Sequence, residues 1–394
     1  MYPTGAFYGM HILMIAPEPF FEPRGTPFSE FHRIRALTTL GHTVDLVTYP
    51  FGKDVEMPGL RIIRSLKPPF VSRVKIGPSW AKVPLDALLA LTSLRMALTR
   101  KYDVIHSHEE GGAIGIVLAG LLRKPHLYDM HSSLPQQISN FGYGKATWLA
   151  KGFEWVERLM LKRSQAVIVI CQDLEDTVKA LGVNVPTVLI ENASGTAPLL
   201  GAGLGVRRSL GLDADTPVVL YTGTFEAYQG LDLLYGAMRH VLATTPSARL
   251  VMVGGDPDQV AAARKAAAAA GLRESAIFTG QRPAEEIPAF LDAASVLVSP
   301  RSSGTNTPLK IYQYLRSGRP IVATRLRTHT QVLDDEVAIL VEPTAEGLAG
   351  GILRAFSDPT VQTLGAHAQH LANTKYSDEA FINKTKHVYE VLVQ

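Results

Sequence analysis

Short apolar runs rich in β-branched residues alternate with longer helical patterns along nearly the whole chain. Seven runs lie in the first half, at residues 11–16, 43–49, 60–65, 103–108, 126–130, 166–170 and 187–191. Six more follow in the second half, at residues 217–223, 248–254, 276–280, 296–300, 320–324 and 338–342. Because a helix is the usual crossover between two parallel strands, this alternation indicates parallel sheets covered by helices. The sequence therefore predicts two doubly wound α/β domains.

The boundary between the two domains is predicted in a stretch of small residues. Residues 193–216 separate the two sets of strands and are rich in Gly, Ala and Ser, a composition typical of a linker. We predict an N-terminal Rossmann-like domain over residues 1–192, with its core over 10–192, and a C-terminal one over 217–376. A last helix at about 377–394 is expected to pack back on the first domain.

The charge of the chain argues against a nucleic-acid-binding protein. The net charge is only +3, without the dense Lys and Arg stripes that such proteins carry. Residues 1–190 hold 21 Lys and Arg against 16 Asp and Glu, which leaves 18 against 20 for the rest, so the first half is +5 and the second −2. This asymmetry is compatible with a weakly basic face that meets an anionic surface.

The remaining composition indicates a chain of a reducing compartment. Cys171 is the single cysteine, which excludes an intrachain disulfide and a Cys-based zinc site. No apolar run approaches the ~18 residues that span a bilayer, and the opening residues lack the long apolar core of a signal peptide. We therefore expect a cytoplasmic protein.

The stretch "SSGTNTPLKIYQYLRSGRP", residues 302–320, predicts a helix start of unusual charge. Thr307 is predicted as the N-cap and Pro308 as the first helical residue, and good helix formers continue to Leu315. The first turn, expected at the surface, carries Lys310 and no acidic residue. Since a helix N-terminus already presents free N–H groups and partial positive charge, a cation there is mildly unfavourable. The pattern suggests that something negative binds in front of this helix.

Ligands of open parallel sheets bind at the carboxyl ends of the strands, so the residues that follow strands are candidates for a site. Gly25, in "PRGTP" after the first strand, would let a backbone loop approach a phosphate, with Thr26 and Pro27 opening the next helix. An ordinary turn glycine is the alternative. Arg24 is either an anion contact or a solvated loop charge, and His131 follows the strand "HLYDM".

Several motifs carry a family resemblance in the order in which they occur. They include "MHILMIAP", "YDVIHSHEEGGAIG", "LYDMHSS", "YTGTFEAYQGLDLLYGAM" and "PRSSGTNTPLKIYQYLRSGRPIVAT". With these motifs the chain resembles the retaining family-four glycosyltransferases of the GT-B fold over nearly its whole length. The resemblance implies two Rossmann-like domains facing across a cleft, a nucleoside-diphosphate sugar as donor and no cofactor. It also implies a saccharide, lipid-linked or small-molecule acceptor on the first domain.

The resemblance implies a catalytic His131 that touches the donor sugar, and the place of Lys310 in the first turn of a helix predicts a catalytic role for it as well. The family commonly has an Arg and a Lys that hold the donor diphosphate where this chain has Thr224 and Gln229. Lys310 is predicted to neutralise the diphosphate instead; the alternative is a surface Lys whose stem lies on apolar neighbours. The implied donor-binding residues are Arg24, Gly25, Thr26, Thr224, Gln229, Arg282, Gly304, Thr305, Asn306, Thr307, Pro308, Leu309 and Gln313.

A further departure from the family concerns two Glu residues that usually lie eight positions apart. The second position falls on Gln313 here, and the first aligns with either Ser303 or Thr305. Helical spacing is expected to place Gln313 and Tyr314 on the face of Lys310, where Gln313 could hydrogen-bond a ribose.

Candidate metal ligands are given structural interpretations. Residues 106–110, "HSHEE", resemble a metal cluster, but strand alternation is expected to separate their side chains. The triplets "DAD" at 213–215 and "DPD" at 256–258 are predicted to be turn and helix-cap residues. We therefore predict metal-free chemistry. Glu110 is a candidate acceptor-side residue, and Asp129 either fixes His131 or ends the sheet.

The stretch 64–102 combines basic residues, Phe70 and Trp80 with an apolar helical face from Val83 to Leu98. This combination is expected of a peripheral membrane contact on the inner leaflet; a core helix after a long loop is the alternative. Two other functions stay open for the whole chain. They are a sugar-nucleotide epimerase of the same fold and a non-catalytic binding protein.

Overall fold

The structure is a computed structural model of the chain, and it is described for residues 9–21, 25–71, 82–135, 147–192 and 198–392. Arg24, Arg73, Lys75 and Trp80 lie outside the described residues, and so does the larger part of the stretch between His131 and Thr147. The chain divides into two compact units. The first comprises residues 1–192 with 379–394, and the second residues 193–378.

The first unit is built on a seven-stranded parallel sheet with the strand order β3-β2-β1-β4-β5-β6-β7. Its strands are β1 (His11–Ala16), β2 (Thr43–Thr48), β3 (Leu60–Arg64), β4 (Val104–His108), β5 (His126–Met130), β6 (Ala166–Val169) and β7 (Thr187–Leu189). Its first helices are α1 (Gly25–Thr39), α2 (Lys82–Thr99), α3 (Gly111–Leu122), α4 (Thr147–Arg163) and α5 (Gln172–Ala180). In the register, Ile12 of β1 pairs with Val44 on one side and with Val104 on the other.

The second unit has a six-stranded parallel sheet with the strand order β10-β9-β8-β11-β12-β13. Its strands are β8 (Val218–Thr222), β9 (Arg249–Val253), β10 (Ala276–Gly280), β11 (Val296–Ser299), β12 (Ile321–Thr324) and β13 (Ile339–Val341). The helices that follow in the chain are α6 (Gly203–Ser209), α7 (Leu231–Thr244), α8 (Pro257–Ala269), α9 (Ile287–Ala293), α10 (Leu309–Ser317), α11 (Arg327–Thr330), α12 (Ala345–Ser357) and α13 (Val361–Thr374). The last helix, α14 (Asp378–Leu392), belongs to the first unit from residue 379 on.

Helices cover both faces of each sheet, as the hydrophobic pattern requires. Along β8, Val219 and Tyr221 belong to one hydrophobic cluster, whereas Val218 and Leu220 belong to another on the opposite face. Alternate residues of a strand point to opposite faces, so a strand buried on both sides reads as a continuous apolar run. This explains why all thirteen predicted strands are confirmed, each within one or two residues at its ends.

Both sheets reverse their strand order at one point, which fixes where ligands can bind. The reversal lies between β1 and β4 in the first unit and between β8 and β11 in the second. At such a switch point the loops after two neighbouring strands diverge and leave a crevice at the carboxyl edge. The candidate ligand-binding loops are therefore those after β1, β4 and β5 in the first unit and those after β8 and β11 in the second. None of the helices among the described residues is long and apolar enough to cross a bilayer.

The predicted linker is partly wrong. Within residues 193–216, Gly203–Ser209 form α6, which packs on the second unit through Val206. Arg207 is buried and donates to the carbonyl oxygens of Ala293 and Thr216, at 2.9 Å and 2.7 Å. The small residues of this stretch allow close packing, which composition alone does not distinguish from a flexible connection.

Candidate functional site

Lys310 lies at the carboxyl edge of the second sheet and is buried, so the expectation of a surface position is wrong. Its side chain is 8% exposed, and Nζ lies 3.7 Å from the centroid of the Tyr221 ring. Nζ also donates to Oε1 of Gln229 at 3.2 Å. Among the described residues no carboxylate forms an ion pair with Lys310. Burial, followed by the charge of Arg301, holds the pKa of Lys310 well below its usual value.

A glycine makes room for this lysine. Gly223, directly after β8, has φ +136°, and a Cβ at this position would meet Nζ of Lys310 at 3.1 Å. Only glycine adopts this backbone conformation readily, so the loop after β8 lies close over the lysine side chain. The same loop contains Thr224, whose carbonyl oxygen accepts from the Tyr221 hydroxyl at 2.7 Å, and Gln229. The predicted donor-binding residues Thr224 and Gln229 are thus brought to the loop above Lys310.

Arg301 is a second basic residue at this edge, partly buried, and sequence reasoning missed it. It follows β11, and its Nη1 donates to the carbonyl oxygen of Asn306 at 2.7 Å and to Oγ1 of Thr328 at 2.8 Å. Its guanidinium lies 5.1 Å from the centroid of the Tyr228 ring, and its Nε has no hydrogen-bond partner among the described residues. Burial lowers the pKa of Arg301. The sequence feature that could have identified Arg301 is its position directly after the strand predicted at residues 296–300.

Side chains from the following segment hold the loop 301–308 by hydrogen bonds to its backbone carbonyl oxygens. Thr328 donates to the carbonyl oxygen of Asn306 at 2.5 Å, and Gln331 donates to that of Thr305 at 2.6 Å. Gly304 has φ +112°. These contacts fix the predicted residues of this loop next to Arg301 and in front of α10.

The helix after this loop begins one residue later than predicted. Pro308 is the N-cap, in an extended conformation with ψ 134°, and Leu309 is the first helical residue. Thr307 therefore lies one residue too early to cap α10, and its buried Oγ1 has no hydrogen-bond partner among the described residues. Lys310 remains in the first turn, which contains no acidic residue.

Two predicted donor-binding residues lie apart from this group. Gln313 lines a small pocket with Leu291, Arg316 and other residues of α9 and the 198–200 segment, and not the surroundings of Lys310. Residues three positions apart on a helix point in similar but not identical directions. Gln313 therefore faces α9, whereas Lys310 faces the loop after β8. Arg282 is exposed after β10, and its nearest recorded partner is Glu286 at 3.8 Å.

The first unit brings His131 and Asp129 together at the carboxyl end of β5. Nε2 of His131 lies 3.2 Å from Oδ1 of Asp129, and both side chains are buried. Burial lowers the pKa of His131, but the charge of Asp129 and then that of Glu109 raise it more, so that its pKa is above the usual value. Asp129 therefore stabilises the protonated form of His131.

Asp129 is also paired with Arg33 of α1, which sequence reasoning did not single out. Nε of Arg33 donates to Oδ2 of Asp129 at 2.9 Å, and both side chains are almost completely buried. Burial would raise the pKa of Asp129, yet Arg33 and then His131 hold it well below its usual range. His106 and His108 stack with ring centroids 4.8 Å apart, and Nε2 of His106 lies 3.5 Å from Oδ2 of Asp129.

The two strand histidines and this aspartate are close enough to be considered for a metal ion. His106, His108 and Asp129 offer atoms within 4.8 Å of one another. The sequence interpretation considered only residues 106–110 and did not include the neighbouring strand. Because the Asp129 carboxylate is already paired with the guanidinium of Arg33, a metal ion would have to bind beside a buried cation. The arrangement fits a charge network better than a metal centre.

The other predicted residues of the first unit lie near the same edge. Glu110 is the N-cap residue of α3 and forms an ion pair with Lys82. Gly25 is the exposed first residue of α1, and Thr26 follows it half-buried.

Both Asp-x-Asp triplets are structural, as predicted. Asp256 caps α8 by accepting from the backbone N–H of Gln259 at 2.8 Å. Residues 213–215 lie in and next to the turn before β8.

The comparisons with known proteins agree with this architecture. The family described as "Glycosyl transferase 4-like domain" matches residues 32–193, and the family "Glycosyl transferases group 1" matches residues 216–358. A D-inositol 3-phosphate glycosyltransferase of Corynebacterium diphtheriae is 25% identical over 73% of this chain and 70% of its own length. An alpha-D-kanosaminyltransferase of Streptomyces kanamyceticus is 25% identical over 79% of this chain and 82% of its own length.

Solved structures show the same fold over almost the whole chain. Sucrose-phosphate synthase of Thermosynechococcus elongatus matches with a TM-score of 0.77 and 24% identity, over 98% of this chain and 99% of that one. Anabaena Alr3699/HepE, solved in complex with UDP-glucose, matches with a TM-score of 0.76 and 17% identity, over 97% of this chain and 100% of its own. The chain therefore belongs to the group 1 glycosyltransferases and has the GT-B fold.

Proposed function

We propose that the protein transfers a sugar from a nucleoside-diphosphate sugar to a glycan, lipid-linked or small-molecule acceptor with retention at the anomeric carbon. The second unit would bind the donor and the first unit the acceptor. The relative in Anabaena was solved with UDP-glucose, which supports a donor of this class. The proposal leaves open the base and the sugar of the donor and the identity of the acceptor.

One observation carries this proposal: buried Lys310 and partly buried Arg301 lie at the switch point of the second sheet, and neither has a carboxylate partner among the described residues. Burial lowers the pKa of both groups, and the charge of Arg301 lowers the pKa of Lys310 further. Keeping such groups buried is costly unless an anion is bound for part of the working cycle. A diphosphate supplies that negative charge. Lys310 and Arg301 would then serve in place of the family's usual Arg and Lys.

The chemistry then depends on stabilising the leaving group. The bond between the anomeric carbon and the diphosphate oxygen breaks, and the acceptor oxygen forms the new bond on the same face. The acceptor proton passes to the departing phosphate oxygen. Lys310 and the amide groups at the start of α10 would stabilise the charge that develops on the diphosphate. His131, held toward its cationic form by Asp129, would contact the donor sugar.

Nucleotide release from a panel of UDP-, GDP-, ADP- and TDP-sugars tests this function. We expect one donor to release its nucleoside diphosphate slowly alone and faster with an acceptor, and we expect the product to keep the donor's anomeric configuration by NMR. An interconverted sugar nucleotide without release would favour an epimerase. Binding without either reaction would favour a non-catalytic protein.

Metal removal gives an expected result of its own. We expect full activity in excess EDTA, because Asp256 caps a helix and the Asp129 carboxylate is occupied by Arg33. The measurement is the rate of nucleotide release before and after chelation. Activity that is lost and then restored by Mg²⁺ or Mn²⁺ would contradict metal-independent chemistry.

We also propose that the enzyme is cytoplasmic and works at the surface of an anionic membrane through the first unit. Leu91 and Leu98 of α2 are 62% and 66% exposed, and Arg95 lies between them on the exposed face of the helix. An exposed apolar stripe with basic neighbours suits the headgroup region of a membrane. Lys82, at the start of the same helix, is paired with Glu110.

Vesicle sedimentation tests this contact. We expect binding to anionic but not zwitterionic vesicles, reversed at about 0.5 M NaCl because salt screens charges beyond a few ångströms. The double variant Leu91→Ser/Leu98→Ser should weaken binding several-fold. The matched control is Leu200→Ser/Leu204→Ser, which changes two exposed leucines of the second unit. Equal loss in both variants, or no binding of the wild type, would contradict the proposed surface.

A further inference from the structure

A chain of buried contacts joins the C-terminal helix to the carboxylate beside His131. Arg33 donates from Nη1 to Oγ1 of Thr385 on α14 at 2.9 Å, and from Nε to Oδ2 of Asp129 at the same distance. Phe381, one turn earlier on α14, lies with its ring centroid 4.7 Å from the Arg33 guanidinium. The guanidinium is therefore held between α14 and Asp129, with Thr385 completely buried.

A second connection runs through Tyr389 and His106. The Tyr389 hydroxyl lies 2.8 Å from Nδ1 of His106, whose Nε2 faces Asp129. Burial lowers the pKa of His106, so the ring is neutral, and the ionised Asp129 favours its single proton on the facing Nε2. Nδ1 is then the acceptor, and the Tyr389 hydroxyl donates to it. Tyr389 thus supports the tautomer that points an N–H at Asp129.

We propose that α14 is a positioning element for His131, in which Thr385 and Tyr389, acting through Arg33 and His106, fix the Asp129 carboxylate and with it the charge of His131. The inference rests on the proposed function for the use of that charge. The contacts themselves belong to the first unit and can be measured without turnover.

The direction of the effect follows from how the charge of Asp129 is shared. In Thr385→Val, Arg33 loses one of its two oxygen acceptors and neutralises Asp129 less well. In Tyr389→Phe, Nδ1 of His106 loses its hydrogen-bond donor, so the ring is held less firmly with its Nε2–H toward the carboxylate. Both changes leave more of the Asp129 charge to His131, so the pKa of His131 should rise further, by about one unit in the double variant.

Other groups also face His131, and the variants leave them in place. His108 lies 3.2 Å from Nε2 of His131, and the charges of Glu109 and Glu18 raise the pKa of His131 after that of Asp129. Glu30 of α1 is completely buried near Asp129, and burial raises its pKa well above the usual value. None of these side chains changes in the variants, so a shift at His131 reports the charge of Asp129.

The test is an NMR titration of the histidine rings in the full chain labelled with ¹⁵N-histidine, with His131 assigned through His131→Asn. We compare the wild type with Thr385→Val/Tyr389→Phe. The matched control is Lys384→Met, which breaks the ion pair of the same helix with Glu191. We expect the pKa of His131 to rise in the double variant and to stay in place in the control. An unchanged pKa in the double variant, or an equal shift in Lys384→Met, would overturn the proposal.

Two further measurements keep the outcomes separate. The unfolding midpoint establishes that each variant is folded, and Thr385→Val alone serves if the double variant is not. The pH profile of nucleotide release should move with the pKa of His131, in kcat and not in the donor KM. A shift in the titration together with a wild type that releases no nucleotide would support the positioning role and contradict the proposed function. Turnover without a shift in the titration would contradict the positioning role alone.

Discussion

Lys310→Met is expected to lower kcat for nucleotide-sugar turnover by about 10²–10³-fold, the range observed when one group that stabilises transition-state charge is removed. Met keeps the apolar stem that packs on Tyr221 and removes the charge. The fold should survive, and the unfolding midpoint should stay level or rise, because an apolar side chain replaces a buried amino group that has no carboxylate partner among the described residues. Steady-state kinetics and thermal unfolding are the measurements.

The control for this variant is Lys265→Met, which removes an exposed lysine from α8 in the same unit. It should keep wild-type kinetics. Lys310→Arg should rescue only part of the activity, because a planar guanidinium differs from an ammonium group in size and hydrogen-bond geometry and Gly223 lies close to this side chain. Wild-type turnover in Lys310→Met would rule out the role in binding the diphosphate.

The same lysine predicts that nucleotide binding takes up protons. The pKa of Lys310 is held well below its ordinary value in the empty protein, and a diphosphate beside it would raise that pKa again. At a pH between the two values, the wild type should therefore bind UDP with proton uptake, and affinity should fall as pH rises. Calorimetry in two buffers of different ionisation enthalpy measures the uptake. Binding of UDP without it would mean that Lys310 already carries its charge in the empty protein.

The sheets were predictable because their signal is local. A strand buried on both faces is an apolar run of a few residues, and in this chain every strand except β2 is followed by a helix before the next strand. The start of α10 was predicted one residue early because the sequence order Thr-Pro also fits a helix that begins at the proline. The helix within the predicted linker was missed because Gly, Ala and Ser favour both loops and close packing.

The site was only partly predictable because its decisive contacts join distant residues. The positive first turn of α10 is visible in the sequence, but its burial under the loop after β8 depends on Gly223, more than eighty positions earlier. Arg33 reaches Asp129 across 96 positions and Thr385 across 352. No period or motif relates such positions, and a single sequence offers no covariation. Sequence reasoning therefore found the edge of each sheet and Lys310, but neither the burial of Lys310 nor the contacts of Arg301 and Arg33.

Asp129→Asn is expected to destabilise the first unit by about 3–5 kcal/mol, because it leaves the buried guanidinium of Arg33 without its counter-ion. The sign of the pH dependence follows from the lowered pKa of Asp129. A carboxyl whose pKa is lower in the folded than in the unfolded state stabilises the fold above its unfolded pKa, about 3.9, and loses this contribution as pH falls through the folded value. The difference between variant and wild type should thus be complete at pH 7 and shrink below about pH 4. Urea unfolding at both pH values measures it.

The double variant Arg33→Met/Asp129→Asn separates stability from activity. Removing both charges should recover most of the lost stability, since a buried ion pair can often be replaced by apolar groups of similar volume. Activity should not return, because His131 still lacks the carboxylate that raises its pKa. Recovery of both stability and turnover in the double variant would mean that Asp129 serves only to neutralise Arg33. Recovery of stability alone would mean that activity requires the Asp129 charge, because this charge keeps His131 protonated. Arg33 and α14 would then serve to position the Asp129 carboxylate.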